Sequence, residues 1–413
     1  MTTESPTATA DTPAASAPGS IPIVPVLAMM LCVFALGSAE YAVIGLLPDI
    51  ARDLGSTVTA SGWIVTVYAV TVAITGPFLA AYLARYSRKR SMIALMIVFL
   101  IGNLISAAAP NIVLILTGRV IAALALSAFA AFSIATVATM VPPQRIAQAI
   151  SWVAGGLILA MILGAPLGTI IGQNLGWRAT FVALAVTAAA GIVAVSAAIP
   201  VDVPADTPPD VLGELRTIIR PQVLIVLAFS ALGQTGFFTA YTYITPLLED
   251  VSGFGGATVA LLLLVLGVGG FLGNLAGGRL ADWNLPRALT ILLAVLVVAL
   301  LTLSITAPSK PAVVAALVLL GAAGFAVVPA YQTRVLTMAD GAPSAIAANT
   351  SGINVGIALG SLIGGAALAH GLSERDLGWI GATATALGLL VALWSVRGEL
   401  RPTRESGASR VGA

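Results

Sequence analysis

The chain has 413 residues, of which 59% are hydrophobic and only 9% are charged. Soluble domains carry roughly 25% charged residues, so this composition excludes a protein that folds mainly in water. The formal net charge is only +2, and we expect no nucleic-acid partner. The composition predicts a protein whose main solvent is a lipid bilayer.

Long apolar stretches recur from Ile21 to Val396, separated by short polar breaks. A membrane-spanning helix needs about 20 mostly apolar residues, and these stretches are long enough. The strands of a membrane β-barrel would instead alternate apolar and polar residues over about 10 positions. We therefore predict an all-α polytopic membrane protein with twelve transmembrane helices near residues 23–47, 61–83, 91–109, 112–140, 147–171, 179–199, 222–247, 257–280, 287–306, 312–334, 344–369 and 378–396.

The positive charges of the predicted loops favour one orientation. With both termini in the cytoplasm, only Arg52, Arg178, Lys310 and Arg375 fall outside. The Lys and Arg residues that fall inside are Arg85, Arg88, Lys89, Arg90, Arg145, Arg216, Arg220, Arg279, Arg287, Arg334, Arg397, Arg401, Arg404 and Arg410. Cytoplasmic loops of membrane proteins carry this excess of positive charge. We expect a multi-pass protein of the cytoplasmic (inner) membrane with both termini inside.

A polar segment rich in proline and aspartate, residues 201–221, divides the predicted helices into two groups of six. Its composition is typical of a cytoplasmic linker. We expect an N-terminal six-helix bundle at 21–200 and a C-terminal six-helix bundle at 222–397. The segments 1–20 and 398–413 are expected to be cytoplasmic tails, the first of them disordered.

The two predicted bundles share sequence features at an offset of about 198 positions. The basic loop at 85–90, after the second helix, is matched by Gly-Arg-Leu-Ala-Asp at 278–282, after the eighth. The same offset aligns the glycines of the fifth helix with those of the eleventh. Many transporters build a central site between two such repeats.

Several motifs resemble the major facilitator superfamily. They are Gly-Arg-Leu-Ala-Asp at 278–282, Thr-Gly-Arg-Val at 117–120 and Leu-Gly-Ala-Pro-Leu-Gly at 163–168. Ala-Glu-Tyr at 39–41, with Gly-Leu-Leu-Pro-Asp-Ile-Ala at 45–51, is most similar to the arabinose-efflux and chloramphenicol-resistance branch of drug:proton antiporters. The resemblance covers residues 22–397 and implies a proton-coupled exporter of small molecules with the major facilitator fold.

The resemblance also implies moving parts. The glycine-rich faces of the fifth and eleventh helices either pack statically or slide during alternating access, with Pro166 allowing a kink. The basic loops would form charged gates, but the first loop has Ala84 and Ser87 where the family usually carries Asp and Gly. The candidate gating and packing residues are Gly164, Pro166, Gly168, Gly360, Gly364, Arg88, Arg279 and Asp282.

Two charged residues, Glu40 and Arg119, lie well inside predicted spans. Counting from Pro48 and Pro110 at the outer helix ends, at about 1.5 Å per residue, places both roughly 12–14 Å below the outer surface. An ionised side chain at the bilayer centre costs about 2.5–3.5 kcal/mol even on a lenient scale. The structural interpretation is a buried ion pair that locks the first bundle, or Arg119 alone bracing the helices. The functional interpretation is that Glu40 is the proton carrier and is tuned by Arg119.

Polar and aromatic residues of the second half are candidates for substrate contact. By the 198-residue offset Glu40 corresponds to Phe238, which lies in an aromatic cluster of the seventh helix. Aromatic residues in a span are also common packing or interface residues. The candidate substrate-binding residues are Phe237, Phe238, Tyr241, Gln234, Asn349, Asn354 and Tyr331. Such a pocket suits a neutral or cationic amphiphile, or a polyol.

Other functions are less well supported by the residues. One His, one Cys and one deep carboxylate cannot form a metal site or a two-acid catalytic centre. We therefore expect that the protein is not an enzyme and that it binds no cofactor or metal. The expected partners are a small-molecule substrate, protons and the bilayer, with the protein monomeric. A facilitator-type importer or a uniporter of a small metabolite remains the alternative, because a fold does not fix the direction of transport.

The predicted topology can be tested with reporter fusions. Reporters at Arg220 and Arg401 should report the cytoplasm, and one at Gly253 should report the outside, because an even number of spans separates the termini. Alkaline phosphatase and green fluorescent protein fusions measure the two outcomes. A reversal at any of the three sites contradicts the span count.

Overall fold

The computed structural model describes residues 22–83, 85–142, 145–200, 219–339 and 344–400. In these ranges, twelve helices are long and apolar enough to cross a membrane. The prediction of an all-α protein with twelve transmembrane helices is therefore confirmed. Most of the predicted linker and almost all of both predicted tails lie outside the described residues.

The helices that span the membrane are numbered here in chain order. Those of the first half are α1 (Ile23–Tyr41), α2 (Val58–Leu83), α3 (Arg88–Ala107), α4 (Ile112–Met140), α5 (Ile146–Leu175) and α6 (Trp177–Ala198). Those of the second half are α7 (Pro221–Tyr241), α8 (Gly256–Trp283), α9 (Leu285–Thr306), α10 (Lys310–Met338), α11 (Ser344–Ala369) and α12 (Asp376–Leu400).

The first helix of each half ends earlier than predicted. After α1 the chain forms a 3₁₀ turn at Ile44–Leu46 and a short helix at Leu47–Asp53. After α7 it forms short helical segments at Ile244–Pro246 and Leu247–Val251. Each break carries a proline near its second helical segment, and proline removes a backbone donor and favours a helix start or a kink. The two halves thus bend at equivalent positions.

Side-chain caps fix the start of three helices. The side chains of Ser87, Asn111 and Asn284 accept hydrogen bonds from the backbone N–H groups of Arg90, Leu114 and Arg287. Ser and Asn are favoured at this position because they satisfy donors that have no partner within the helix. The polar breaks in the sequence therefore set where α3, α4 and α9 begin.

Equivalent glycines bring equivalent helices together in the two halves. In the first half, a Cβ atom on Gly164 would lie 3.2 Å from the Cα atom of Ser38, and Gly168 faces Ala42. In the second half, a Cβ atom on Gly360 would lie 2.5 Å from the carbonyl oxygen of Thr235. The α5 glycines therefore pack on α1, as the α11 glycines pack on α7, and the sequence repeat is a structural repeat.

The two halves meet along α2 with α11 and α5 with α8. Contacts between halves concentrate at the end of the bundle that carries the connection from α1 to α2, which we call the closed end. There the hydroxyl of Ser361 donates to the carbonyl of Gly62 at 2.9 Å, and the hydroxyl of Thr245 donates to that of Ile44 at 3.3 Å. These bonds join α11 to α2 and the segment after α7 to the segment after α1.

The ring of Tyr243 fills the closed end between the halves. Its hydroxyl donates to the carbonyl of Ser361 at 3.0 Å. A Cβ atom on Gly62 would lie 2.0 Å from the same hydroxyl oxygen, so only glycine fits at this position of α2. Burial raises the pKa of the nearby Glu249 carboxyl, and the negative charge of Asp49 in the other half raises it further, whereas Arg52 opposes this. Acidic groups of both halves therefore approach each other here.

The opposite end, where α1 begins and α12 ends, we call the terminal end. The side chains of Arg279 and Asp282 are exposed there and form no hydrogen bond or ion pair within the described part of the chain. The guanidinium of Arg88 donates to the carbonyl of Ala135, inside the first half. In this conformation Arg279 and Asp282 do not connect the halves within the described part of the chain.

The glycine contact between α7 and α11 generates a stability prediction. Gly360→Ala should lower the free energy of unfolding by about 1–3 kcal/mol, because the added methyl group meets backbone atoms that cannot move aside. Gly352→Ala is the matched control on the same helix, since its Cβ atom would lie no closer than 3.4 Å to any neighbour. The control should be neutral or slightly stabilising, as alanine is the better helix former. Equal unfolding temperatures of the purified variants would contradict the contact.

Candidate functional site

A cavity of about 230 Å³ lies between the two halves. Its wall is mostly apolar and comes from α1, α4 and α5 of the first half and from α7, α8, α10 and α11 of the second. It extends from Glu40 toward the terminal end. The polar residues that line it are Glu40, Tyr41, Gln234, Asn274, Gln332, Thr350 and Asn354.

Glu40 supplies the only charged side chain among the lining residues of this cavity. It lies in the last turn of α1 and is 7% exposed. Within the described part of the chain its carboxylate accepts no hydrogen bond and forms no ion pair. The protein therefore offers this buried acid no direct partner in this conformation.

Arg119 lies behind Glu40 and is fully buried. Its Nη1 donates to the carbonyl of Ala39 at 2.8 Å, and its Nε donates to that of Ile64 at 3.4 Å. The guanidinium carbon lies 3.9 Å from the ring centroid of Tyr68, which is a cation–π contact. One side chain of α4 thus holds α1 and α2 in place.

The ion pair between Glu40 and Arg119, one of the two sequence hypotheses, is absent from this structure. Two nitrogens of Arg119 donate hydrogen bonds to backbone carbonyls, while Nη2 has no hydrogen-bond partner among the described residues. The guanidinium still lies close to Glu40, because the carbonyl that it binds belongs to Ala39, the preceding residue. It acts on the Glu40 carboxylate through space. The two groups form an electrostatic unit without a direct bond.

The aromatic cluster of α7 is divided between the cavity and its support. Phe238 lines the cavity, whereas Phe237 and Tyr241 do not. The rings of Phe237 and Tyr241 stack at 5.1 Å behind the wall, and Phe237 also packs on Gly324 of α10. Two of the three predicted aromatic contacts therefore hold Phe238 in position.

The predicted polar residues divide in the same way. Gln234 and Asn354 line the cavity, whereas Asn349 and Tyr331 are buried elsewhere in the second half. Tyr331 packs against Phe229, with ring centroids 5.9 Å apart. The structure thus brings Gln234, Phe238 and Asn354 together with Glu40.

Several lining residues were missed by sequence reasoning. Phe325 of α10 closes the gap between the halves through an edge contact with Tyr41 at 6.3 Å. On α11 the lining positions are Thr350, Ile353, Asn354 and Ile357. Asn354 was predicted, and the spacing of three and four residues along one helix face could have found the other three. Arg334, treated as a loop charge, is in fact 3% exposed within α10.

Comparison with known proteins identifies the family. The family model described as Major Facilitator Superfamily matches residues 29–348, most of the chain. The crystal structure of a D-xylose-proton symporter superposes with a TM-score of 0.72 at 15% sequence identity, covering 91% of this chain and 97% of that one. At this identity the likeness shows the fold alone.

Two curated relatives match over nearly their whole length. The inner membrane transport protein YdhP of Escherichia coli K12 is 35% identical, over 90% of this chain and 96% of its own length. A chloramphenicol resistance protein of Streptomyces lividans is 31% identical, over 89% of this chain and 95% of its own length. The chain therefore belongs to the Major Facilitator Superfamily of membrane transporters.

Proposed function

We propose that this transporter is a proton-coupled antiporter that exports a small amphiphilic molecule across the cytoplasmic membrane. The observation that carries the proposal is Glu40, a buried carboxylate that lines the central cavity and forms no hydrogen bond or ion pair with any described residue. The similarity to a chloramphenicol resistance protein supports a drug-like substrate. We place the protein in the inner membrane as a monomer, with both termini in the cytoplasm.

The coupling follows from the cost of an ionised carboxylate in the membrane. That cost is about 2.5–3.5 kcal/mol at the bilayer centre on the lenient scale, and a partner or a proton can remove it. A bound proton and a substrate that donates a hydrogen bond to Glu40 relieve the same cost, so they compete. Such competition is the exchange that an antiporter requires.

Arg119 sets how strongly Glu40 holds its proton. An arginine stays charged under all physiological conditions, so Arg119 cannot be the carrier. Its Nη2 has no hydrogen-bond partner among the described residues. A small movement of α1 against α4 would change the distance from this nitrogen to the carboxylate, and with it the affinity of Glu40 for protons.

Alternating access uses the two ends of the bundle. With both termini in the cytoplasm, the described conformation is closed to the outside by Tyr243, Ser361 and Gly62 and leads from Glu40 toward the cytoplasm. Export requires the reverse state, in which the contacts of the closed end break and the terminal end closes. Arg279 and Asp282 are placed to contribute to that second closure.

The coupling is tested with Glu40→Gln, which keeps the shape of the side chain and removes its titration. The variant should lose uphill, gradient-driven efflux and the pH dependence of substrate binding, while passive exchange survives. The measurement is chloramphenicol and arabinose transport in inverted vesicles under an imposed pH gradient. The matched control is Glu374→Gln, because Glu374 lies in the connection from α11 to α12, outside the cavity.

Full uphill transport by Glu40→Gln would show that another group carries the proton. Transport that ignores the pH gradient in the wild type as well would favour a uniporter. Uptake in place of efflux would favour an importer. The first result contradicts the assignment of Glu40 as the proton carrier, and the other two contradict the proposed antiporter.

A further inference from the structure

Two amide side chains in the cavity wall have unpartnered atoms. Gln234 on α7 is 2% exposed and Asn354 on α11 is 3% exposed, and both line the cavity. Among the described residues, the Nε2 of Gln234 and the Oδ1 of Asn354 have no hydrogen-bond partner. One of these atoms is a donor and the other an acceptor, so the wall presents an unmatched pair of opposite kind.

The two amides lie where α7 and α11 pack closely together. A Cβ atom on Gly356 of α11 would lie 2.7 Å from the Cβ atom of Gln234. The Nδ2 of Asn354 donates to the carbonyl of Thr350 at 3.0 Å. This bond sets the orientation of the Asn354 amide and leaves Oδ1 as the free acceptor.

A buried polar atom without a partner is destabilising, and a ligand that supplies the partner is favoured for the same reason. Other buried polar atoms in the second half, such as those of Asn349 and Tyr331, also lack partners but do not line the cavity. Among the described residues with unpartnered buried polar atoms, Gln234 and Asn354 are the two that also line the cavity.

We infer that Gln234 and Asn354 bind one uncharged group of the substrate that both accepts and donates hydrogen bonds, such as a secondary amide or a hydroxyl. Its carbonyl or hydroxyl oxygen accepts from Nε2 of Gln234, and its N–H or O–H donates to Oδ1 of Asn354. A second donor of the substrate reaches Glu40 in the other half. This inference concerns the site of the proposed function and rests on it.

The substrate class that follows is an uncharged amphiphile with an apolar body, an amide or hydroxyl near one half and a further donor near the other. The apolar body matches the wall formed by Leu36, Met161, Phe238 and Phe325. A lipophilic cation without hydrogen-bonding groups would satisfy Glu40 alone and leave both amides unpartnered. The amides thus favour the uncharged amphiphile over the cation.

The test is equilibrium binding by calorimetry to the purified full chain in detergent. Chloramphenicol is the first probe, because it carries a secondary amide, hydroxyls and an aromatic ring. Tetraphenylphosphonium is the second, because it is a cation of apolar body without donors or acceptors. The wild type should bind chloramphenicol in preference to tetraphenylphosphonium.

Gln234→Leu and Asn354→Leu should each weaken chloramphenicol binding about tenfold, the usual size of one hydrogen bond. Their unfolding temperatures should not fall, because each change removes an unpartnered buried polar atom. Asn103→Leu is the matched control. Asn103 is 1% exposed, donates to the carbonyl of Phe99 and has an unpartnered Oδ1, but it lies on α3, away from the cavity.

Unchanged chloramphenicol affinity in both leucine variants would overturn the inference. So would binding of tetraphenylphosphonium alone, or binding of neither probe by the folded wild type. The assay needs no proton gradient, so its outcome is separate from that of the proposed function. Loss of binding in the leucine variants together with gradient-independent transport would retain the amide site and reject the antiporter.

Discussion

The constraint on which the site depends is the cost of an ionised carboxylate surrounded by apolar groups. Glu40 lies in the last turn of α1, buried at the cavity wall, and the described part of the chain gives it no hydrogen bond or ion pair. Arg119 is close, but two of its nitrogens bind backbone carbonyls of α1 and α2. In the proposed mechanism a proton or a molecule in the cavity relieves the charge of Glu40, and this requirement links proton binding to substrate binding.

In the proposed mechanism the rest of the fold changes the surroundings of that carboxylate. Glycines let α5 pack on α1 and α11 pack on α7, so each half is a tightly joined unit. Between the halves, the bonds at the closed end are few and use hydroxyl donors such as those of Thr245 and Ser361. Hydrogen bonds of this kind contribute about 0.5–1.5 kcal/mol each, so they can be exchanged for others without unfolding either half. Alternating access needs two rigid halves whose mutual hydrogen bonds can break and be replaced by others.

Much of the fold could be predicted from the sequence, because hydropathy along the chain determines which segments enter the membrane. The bounds of α4 and α11 coincide with the predicted spans. Glu40 and Arg119, expected well inside the spans, are both buried. The sequence repeat also predicted that the glycines of α5 and α11 occupy equivalent places.

The details of the site could not be predicted, because they depend on how each helix is rotated about its axis. Phe237 and Phe238 are neighbours in sequence, yet only Phe238 faces the cavity. Asn349 and Asn354 look alike in the sequence and lie on different sides of α11. Arg119 does not form the ion pair that was one of the expectations, and instead it donates hydrogen bonds to backbone carbonyls. No sequence pattern predicts such bonds. Rotation and backbone acceptors are set by tertiary packing.

The most direct measurement of the central claim is the release of protons when a substrate binds. Purified protein in weakly buffered detergent solution is mixed with chloramphenicol over a range of pH values, and a pH indicator follows the proton concentration. The account predicts proton release by the wild type and none by Glu40→Gln, since the substrate displaces the proton from that carboxylate. Binding without proton release in the wild type, or equal release in the variant, would contradict it.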